Sequence, residues 1–236
     1  MDAPAQNYPV LRKLIPRSLQ PFLRGLRKRI FTASRPKEEP FRTVFPYTQA
    51  HPSRQRNLLR LARDIDARAV SGAVVECGVL DGGTAALMAF GSAKSAREVH
   101  LFDSWAGLPE ITEKDGDAQM WVGDIVGSPK RVVSVMRALG IDPTRLKFHR
   151  GWFSETFPKA QIDKIALLHI DADFYESVRL VLEKWMPRMS PGGYVQVDDY
   201  KIFAGCTKAI DEYMAAHPEL TLDVFENRAF YIKIPG

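Results

Sequence analysis

The sequence predicts an α/β protein built on one mostly parallel sheet, with helices on both faces and an antiparallel strand at the C-terminus. Short apolar runs alternate with amphipathic segments along most of the chain. These runs are apolar throughout, as in strands that are buried on both faces and connected by helical crossovers. Two β-rich runs lie close together at the end of the chain. The 236 residues suit one domain with a full core and an appendage.

The appendage is a basic arm at the N-terminus. Residues 1–37 hold nine Lys or Arg and one acid, whereas the remainder holds 24 basic and 27 acidic residues, so the arm accounts for the net charge of +5. Pro16 and Pro21 predict short helices there. We predict a basic helical arm or lid over residues 1–45 and the main domain over residues 46–236. Apolar residues of the arm recur at the spacing of one helical face: Leu11, Ile15, Leu19, Leu23, Leu26 and Ile30.

Four roles for the arm fit this pattern: a membrane-surface anchor, a subunit contact, a substrate lid, or a loosely docked helix with a solvated basic face. The apolar stripe favours a homo-oligomer. The acidic balance of the domain argues against nucleic-acid binding, which needs a positive face. No apolar run of about 18 residues or signal-peptide pattern occurs, and the two cysteines, Cys77 and Cys206, lie far apart. We therefore predict no membrane span and a reducing, cytoplasmic location.

The elements of the domain follow one another in a regular order. The segment 53–69 has helical periodicity with Ser53 as its N-cap, and 82–95 is a helix rich in small residues. Amphipathic spacing predicts further helices over 129–140, 176–189 and 205–217. Apolar runs predict strands over 72–79, 98–104, 145–151, 164–171 and 193–199. The runs 220–226 and 228–234 follow each other around Asn227-Arg228, as an antiparallel pair would.

A glycine-rich turn follows the first strand, in "VVECGVLDGGT" (74–84). Glycine there lets the backbone approach a ligand closely. Asp103 ends the next strand, where an acid can accept both ribose hydroxyls of a nucleoside. The spacing differs from that of the dinucleotide fingerprint, and Glu76 and Asp81 would repel a pyrophosphate. A cationic nucleoside with an amino acid end, such as S-adenosylmethionine, fits better, and a purely structural tight turn is the alternative.

Four aspartates follow two other apolar runs. Asp171 and Asp173 end "HIDADFYES", and Asp198 and Asp199 end "GYVQVDDY". Ligand sites of open α/β sheets form outside the carboxyl ends of the strands, so these side chains converge if the two strands are neighbours. Carboxylate oxygens suit a hard cation, Mg²⁺, Mn²⁺ or Ca²⁺, rather than zinc. The alternative is that the aspartates cap the following helices, Asp173 in particular.

Several motifs together resemble the macrocin O-methyltransferase family, whose members include sugar O-methyltransferases of macrolide and aminocoumarin antibiotic pathways. They are "VECGVLDGGTA", "LFDSWAGLPE", "GWFSETFP", "LLHIDADFYES" and "SPGGYVQVDDY" followed by "GCTKAIDEY", in order over about residues 45–217. The resemblance implies a class I methyltransferase, Rossmann-like fold, S-adenosylmethionine as methyl donor and a required Mg²⁺.

The resemblance also implies residue roles. Asp171, Asp198 and Asp199 would be the metal ligands, and Asp173 the general base. Trp152 would stack on adenine or pack in the core. His100 and His169 are predicted to be structural, and Cys77 is not predicted to be a nucleophile, since no histidine partner is evident. The cofactor-binding residues would be Tyr47, Thr48, Glu76, Cys77, Gly78, Val79, Leu80, Asp103, Ser104, Trp105, Ala106, Gly107, Trp152, Asp171 and Ala172.

We therefore predict a metal-dependent O-methyltransferase that acts on a hydroxyl of a sugar or glycoside. A catechol or another small vicinal diol is the alternative acceptor. The alternative of a different class is a non-catalytic membrane-surface or scaffold protein that uses the basic arm.

Overall fold

The computed structural model describes residues 36–236. Residues 1–35 of the predicted arm lie outside the described residues, so the arm and the homo-oligomer inferred from it stay predictions. Within residues 36–236 the helices are α1 Phe41–Val44, α2 Pro52–Ala67, α3 Gly83–Gly91, α4 Pro129–Ala138, α5 Phe153–Thr156, α6 Tyr175–Trp185 and α7 Ala204–Ala216. The strands are β1 Ala73–Cys77, β2 Val99–Asp103, β3 Leu146–Arg150, β4 Ile165–Ile170, β5 Met189–Val197, β6 Leu222–Phe225 and β7 Ala229–Lys233.

The seven strands form one sheet in the order β3-β2-β1-β4-β5-β7-β6. The first five strands of this order pair in parallel, and β7 pairs antiparallel with both β5 and β6. This confirms the predicted fold class. The chain runs outward from β1 in one direction through β2 and β3 and then returns to β4 on the other side. Ligands of such sheets bind at this reversal point.

Helices cover both faces of the sheet, as predicted. On one face α2 buries Leu58, Leu61 and Ile65, which recur at helical spacing, in a cluster that also contains residues of α3 and α4. The other cluster contains residues of α6 and α7, with Trp185 at 0% exposure in it. Residues of β1 and β2 alternate between the two clusters, because successive side chains of a strand point to opposite faces.

Residues 41–47 pack against this core, since Val44 is fully buried within it and Phe41 and Tyr47 lie against it. The division of the chain at residue 45 stays a prediction. No helix within residues 36–236 combines the length and the apolar character needed to cross a bilayer.

Several predicted boundaries are wrong, and three of them have a clear cause or a large effect. His51, not Ser53, caps α2: its Nδ1 accepts a hydrogen bond of 3.2 Å from the Ser53 N–H, and Pro52 takes the first helical position, which it favours. Helix α3 ends at Gly91 rather than residue 95. Strand β5 begins at Met189 rather than residue 193, because Pro191 and Gly192, which usually mark loops, lie within it.

The predicted C-terminal hairpin is confirmed. Strands β6 and β7 pair antiparallel, with Phe225 opposite Ala229. Glu226 and Asn227 in the turn both have positive φ, 49° and 55°. Two such residues are characteristic of the tight turns that match the twist of a hairpin.

His149 in β3 predicts a pH dependence of stability. Burial and the neighbouring His100 lower the pKa of His149 to about 4, whereas unfolded histidine titrates near 6.5. Because the pKa of His149 is lower in the folded than in the unfolded protein, its contribution to the free energy of unfolding is complete above pH 6.5 and is lost as the pH falls towards 4. We expect a loss of about 1 to 2 kcal/mol between pH 7 and pH 4.5, after allowance for its partial exposure.

Urea unfolding of wild type and of His149→Phe at both pH values measures this loss. Phenylalanine keeps the stack on Phe102, whose ring centroid lies 4.0 Å from that of His149. The variant should lose less stability than wild type on acidification. Glu98 and Lys147, which face His100, are present in both proteins, whereas the 3.0 Å contact between His100 Nδ1 and His149 Nε2 is lost in the variant. Equal losses in the two proteins would contradict the prediction.

Candidate active site

A cavity of about 1300 Å³ opens at the carboxyl ends of the parallel strands. Pockets for one small molecule are roughly 300–1,000 Å³, so this cavity can hold two ligands side by side. Segments after β1, β2, β3, β4 and β5 all contribute to its wall. The predicted site residues that line it are Tyr47, Thr48, Gly78, Val79, Leu80, Asp103, Ser104, Gly107, Trp152, Asp171, Ala172, Asp173, Asp198 and Asp199.

The glycine turn after β1 is held tightly in place. Gly78 has φ of +90°, and a Cβ there would overlap the carbonyl oxygen of Asp171, so only glycine fits this position. The Asp103 carboxylate accepts hydrogen bonds from the N–H groups of Val79 and Leu80 at 2.7 and 2.9 Å. Asp103 therefore joins the ends of β1 and β2 as well as facing the cavity.

Four of the residues predicted to bind the cofactor do not line the cavity. Glu76 and Cys77 are fully buried. Trp105 is 6% exposed, and its indole N–H donates to the Leu80 carbonyl at 2.9 Å. Ala106 is exposed to solvent, outside the cavity lining. Trp152 faces the cavity and is 39% exposed, which favours a ligand contact over packing in the core. The cofactor roles of these residues stay predictions.

The aspartates converge. Asp171, Asp198 and Asp199 each offer a carboxylate oxygen, and these oxygens lie within 4.8 Å of one another. Opposite ligands of one Mg²⁺ lie about 4.2 Å apart, so small side-chain rotations bring the three oxygens into one coordination shell. Oδ1 of Asp198 is buried and makes no hydrogen bond within residues 36–236, although Nε2 of His169 lies 3.5 Å from it. An all-oxygen set of carboxylates fits a hard divalent cation.

The electrostatics of the cluster reflect this crowding. Burial, followed by the charges of Asp198 and Asp199, raises the pKa of Asp171 well above its usual value. Burial and Asp199 raise the pKa of Asp173 in the same way. The pKa of Asp199 rises to about 6, chiefly through burial and Asp198. Close carboxylates favour protonation unless a positive charge lies among them.

Asp198 is held by two basic side chains. Nη1 of Arg54 donates to its Oδ2 at 2.8 Å, and Nε2 of His169 lies 3.5 Å from its Oδ1. Burial opposes the charge of Asp198, but His169 and Arg54 outweigh this and lower its pKa. Arg54 projects from α2 into the cavity wall. It was not predicted as a site residue, because it lies 144 residues before its partner.

His169 continues this polar contact towards β1. Its Nδ1 lies 2.8 Å from Oε1 of Glu76, and both residues are fully buried. Burial opposes the charge of His169, but Asp198 and Glu76 outweigh it and raise its pKa to about 9. Glu76, His169 and Gln196 are paired neighbours across β1, β4 and β5. His169 is therefore a structural residue, as predicted: it is fully buried between Glu76 and Asp198 and helps to orient the Asp198 carboxylate.

The alternative role of Asp173 as a helix cap is wrong. Helix α6 begins at Tyr175, and its N-terminal N–H groups receive no side-chain bond from the N-cap residue Phe174. The carboxylate of Asp115, 60 residues earlier, instead accepts the Tyr175 N–H at 2.6 Å. Asp173 lies in a left-handed turn with φ of 55°, and its N–H donates to Asp199 Oδ2 at 3.1 Å. Its carboxylate is left facing the cavity.

A long loop, residues 104–128, forms the opposite wall of the cavity. Ser104 and Gly107 are the predicted cofactor-binding residues of this loop that line the cavity. Asp124 also lines the cavity but was not predicted as a site residue. Its Oδ2 is buried and has no hydrogen-bond partner within the described part of the chain. Loop residues carry no periodic pattern that would have pointed to them. The lining residues of this loop are Ser104, Gly107, Leu108, Pro109, Glu110, Ile111, Thr112, Trp121, Asp124, Ile125 and Val126.

The sheet order and the position of the cavity define the class I methyltransferase fold. A solved structure of the O-methyltransferase NovP superposes with a TM-score of 0.73 at 30% identity, covering 80% of this chain and 83% of that one. The calicheamicin methyltransferase CalS11 shares the fold at 20% identity with a TM-score of 0.61, over 87% of this chain and 89% of that one. The family model of macrocin-O-methyltransferase (TylF) matches residues 24–228. The chain belongs to this family.

Curated relatives support the same membership. The chain is 35% identical over 171 residues to demethyldecarbamoylnovobiocin O-methyltransferase of Streptomyces niveus, covering 69% of this chain and 65% of that protein. It is 34% identical over 183 residues to mycinamicin III 3''-O-methyltransferase of Micromonospora griseorubida, covering 72% of this chain and 71% of that protein. These relatives are O-methyltransferases by name.

Proposed function

We propose that this protein transfers a methyl group from S-adenosylmethionine to a hydroxyl of a sugar or glycoside, with Mg²⁺ bound at the aspartate cluster. The observation that carries the proposal is the convergence of Asp171, Asp198 and Asp199 beside the glycine turn, in one cavity large enough for two ligands. Family membership supports the reaction class.

The donor half of the cavity lies at the ends of β1 and β2. Gly78 lines this half of the cavity. The wall also includes Asp103, whose Oδ1 accepts one backbone hydrogen bond, from Trp105, and so keeps capacity for a ribose hydroxyl. Tyr47 and Thr48 line the same side, and Trp152 offers a flat face for adenine. Bound S-adenosylmethionine would supply an electrophilic methyl group on a positively charged sulfur.

The acceptor half lies between the aspartates and the loop 104–128. Asp171, Asp198 and Asp199 would hold the metal, with Arg54 and His169 keeping Asp198 oriented. When bound, Mg²⁺ would supply Lewis-acid assistance by lowering the pKa of an acceptor hydroxyl. Asp173 faces the cavity beside this cluster and takes the hydroxyl proton as general base. Holding the two reactants in one cavity lowers the entropic part of the barrier.

The substrates that appear in the names of two relatives favour a glycoside acceptor. One relative acts on a rhamnosyl tetracenomycin, is 35% identical over 178 residues, and comes from Streptomyces olivaceus. Another is named as a 3''-O-methyltransferase of mycinamicin III. The apolar side chains of Leu108, Ile111 and Phe203 in the wall suit the remainder of such a molecule.

A panel assay tests the proposal. Purified protein is incubated with S-adenosylmethionine and alkyl or aryl rhamnosides, free sugars, or catechols, and methylated products are identified by mass spectrometry. We expect turnover with rhamnosides that is lost in EDTA and restored by Mg²⁺. Turnover with catechols alone would instead favour the small-diol alternative. Binding to anionic vesicles without any turnover would favour the scaffold alternative.

A further inference from the structure

One buried acid ties the loop 104–128 to the segment that carries Asp173. Asp115 is 4% exposed. Its Oδ1 accepts the Tyr175 N–H at 2.6 Å, and its Oδ2 accepts the N–H and hydroxyl of Thr112 at 2.7 and 2.8 Å. One carboxylate therefore closes a turn of its own loop and caps a helix 60 residues further along the chain.

A glycine on a third element makes room for this contact. Gly205, at the start of α7, lies so close to Asp115 that a Cβ there would overlap Oδ1, and the Tyr175 nitrogen would lie only 2.6 Å from it. Alanine is otherwise favoured over glycine in a helix by about 1 kcal/mol. The absence of a side chain at Gly205 is thus explained by the carboxylate of Asp115 rather than by the needs of the helix.

Further side-chain contacts join the loop 104–128, α6 and α7 around Asp115. Nζ of Lys114 lies 3.7 Å from the centre of the Tyr175 ring, and the Tyr175 hydroxyl donates to Glu212 Oε2 at 2.6 Å. On the cavity side the rings of Trp121 and Phe203 meet edge to face, with centroids 6.1 Å apart. The loop, α6 and α7 are therefore joined by a buried carboxylate, a cation on a ring and an aromatic contact.

We propose that Asp115 is a positioning residue: together with Gly205 it forms a clamp that fixes the acceptor wall of the cavity relative to Asp173. Tyr175, which the clamp holds, is two residues after Asp173, and Thr112, on its other side, lines the cavity. The donor half depends instead on Asp103, which bonds the glycine turn directly. This inference rests on the proposed function, in which Asp173 and the loop face the acceptor.

Two independent variants break the clamp. Asp115→Asn removes a charge-assisted acceptor and presents an NH₂ group where Thr112 also donates, and Gly205→Ala forces a methyl group into the contact. For each variant kcat/KM for the best rhamnoside of the panel should fall at least about tenfold, whereas KM for S-adenosylmethionine and Kd for S-adenosylhomocysteine should change less than about twofold. Glu113→Gln and Asp117→Asn, exposed acids of the same loop, are the matched controls and should leave all values unchanged.

A double-mutant cycle separates a clamp from general support of the fold. Once Asp115→Ala has removed the carboxylate, the added methyl group of Gly205→Ala loses its main obstacle. The second substitution should therefore cost much less in kcat/KM in the Asp115→Ala protein than in wild type. Equal costs in both backgrounds, or a loss of S-adenosylhomocysteine affinity in proportion to the loss in kcat/KM, would overturn the proposal.

Limited proteolysis measures how firmly the clamp holds the loop, and it needs no acceptor substrate. Lys114 is the one lysine or arginine between residues 104 and 129, so tryptic cleavage there reports release of the loop. Asp115→Asn and Gly205→Ala should speed this cleavage at least about tenfold, and Glu113→Gln should not. If wild type methylates no member of the panel, the proposed function fails, and this measurement still tests the clamp. Unchanged cleavage in both clamp variants would refute it.

Discussion

Asp173→Asn is expected to lower kcat about 100- to 10,000-fold, the usual contribution of a general base. The amide has nearly the shape of the carboxylate but cannot take a proton at neutral pH. The backbone N–H of Asp173, which donates to Asp199, is retained in the variant. Binding of Mg²⁺ and of S-adenosylhomocysteine should therefore stay within about threefold of wild type, because the proposed ligands are untouched.

Stopped assays with the best rhamnoside, combined with calorimetry of Mg²⁺ and S-adenosylhomocysteine, measure both parts of this prediction. Asp163→Asn is the matched control: Asp163 is an exposed acid that precedes β4, whereas Asp173 follows it. A wild-type kcat in Asp173→Asn would refute its role as base. A parallel loss of Mg²⁺ binding would make Asp173 a metal ligand instead.

Asp198→Asn, in contrast to Asp173→Asn, is expected to lose Mg²⁺ binding as its primary effect. Asp198 offers one of the three converging oxygens, and it also neutralises Arg54 and His169, which are 11% and 0% exposed. The variant should bind Mg²⁺ at least about 100-fold more weakly, since a direct ligand matters at least as much as its orienting partners. It should also unfold with about 3–5 kcal/mol less free energy, because two buried cations lose their common partner.

Calorimetric titration with Mg²⁺ and urea unfolding in its absence keep the two effects apart. The stability loss should appear without metal, and excess Mg²⁺ should stabilise wild type but not the variant. Asp163→Asn again serves as the control for an acid removed elsewhere. Equal Mg²⁺ affinities of Asp198→Asn and wild type would remove Asp198 from the metal site and, with it, the proposed arrangement of the acceptor half.

Asp173 and Asp198 have different predicted roles although they are neighbours in the site, and their proximity depends on the strand order. Strands β4 and β5 are adjacent and parallel, so the residues that follow Ile170 and Val197 emerge at the same edge. The motif "DADFYES" alone allows Asp173 to be either a base or a helix cap. Capping of α6 by Asp115 removes the helix-cap alternative, and the role of Asp173 as base stays a prediction.

Residue patterns alone determined the α/β class, the antiparallel end of the sheet, the glycine turn and the position of Asp171, Asp198 and Asp199 at the ends of two strands, whose adjacency the structure supplied. Each follows from local spacing: uniformly apolar runs predict buried parallel strands, and acids at the carboxyl ends of such strands must share one edge. The resemblance of the motifs extended this to a family, which the family model over residues 24–228 confirms.

Only the tertiary structure decided which distant side chains support those acids. Arg54 reaches Asp198 across 144 residues, Glu76 reaches His169 across 93, and Asp115 reaches Tyr175 across 60. Such pairs leave no periodicity in the chain, because their meeting depends on how helices and loops pack over the sheet rather than on helical or strand spacing. Local spacing therefore located the acids, whereas packing selected the residues that orient them.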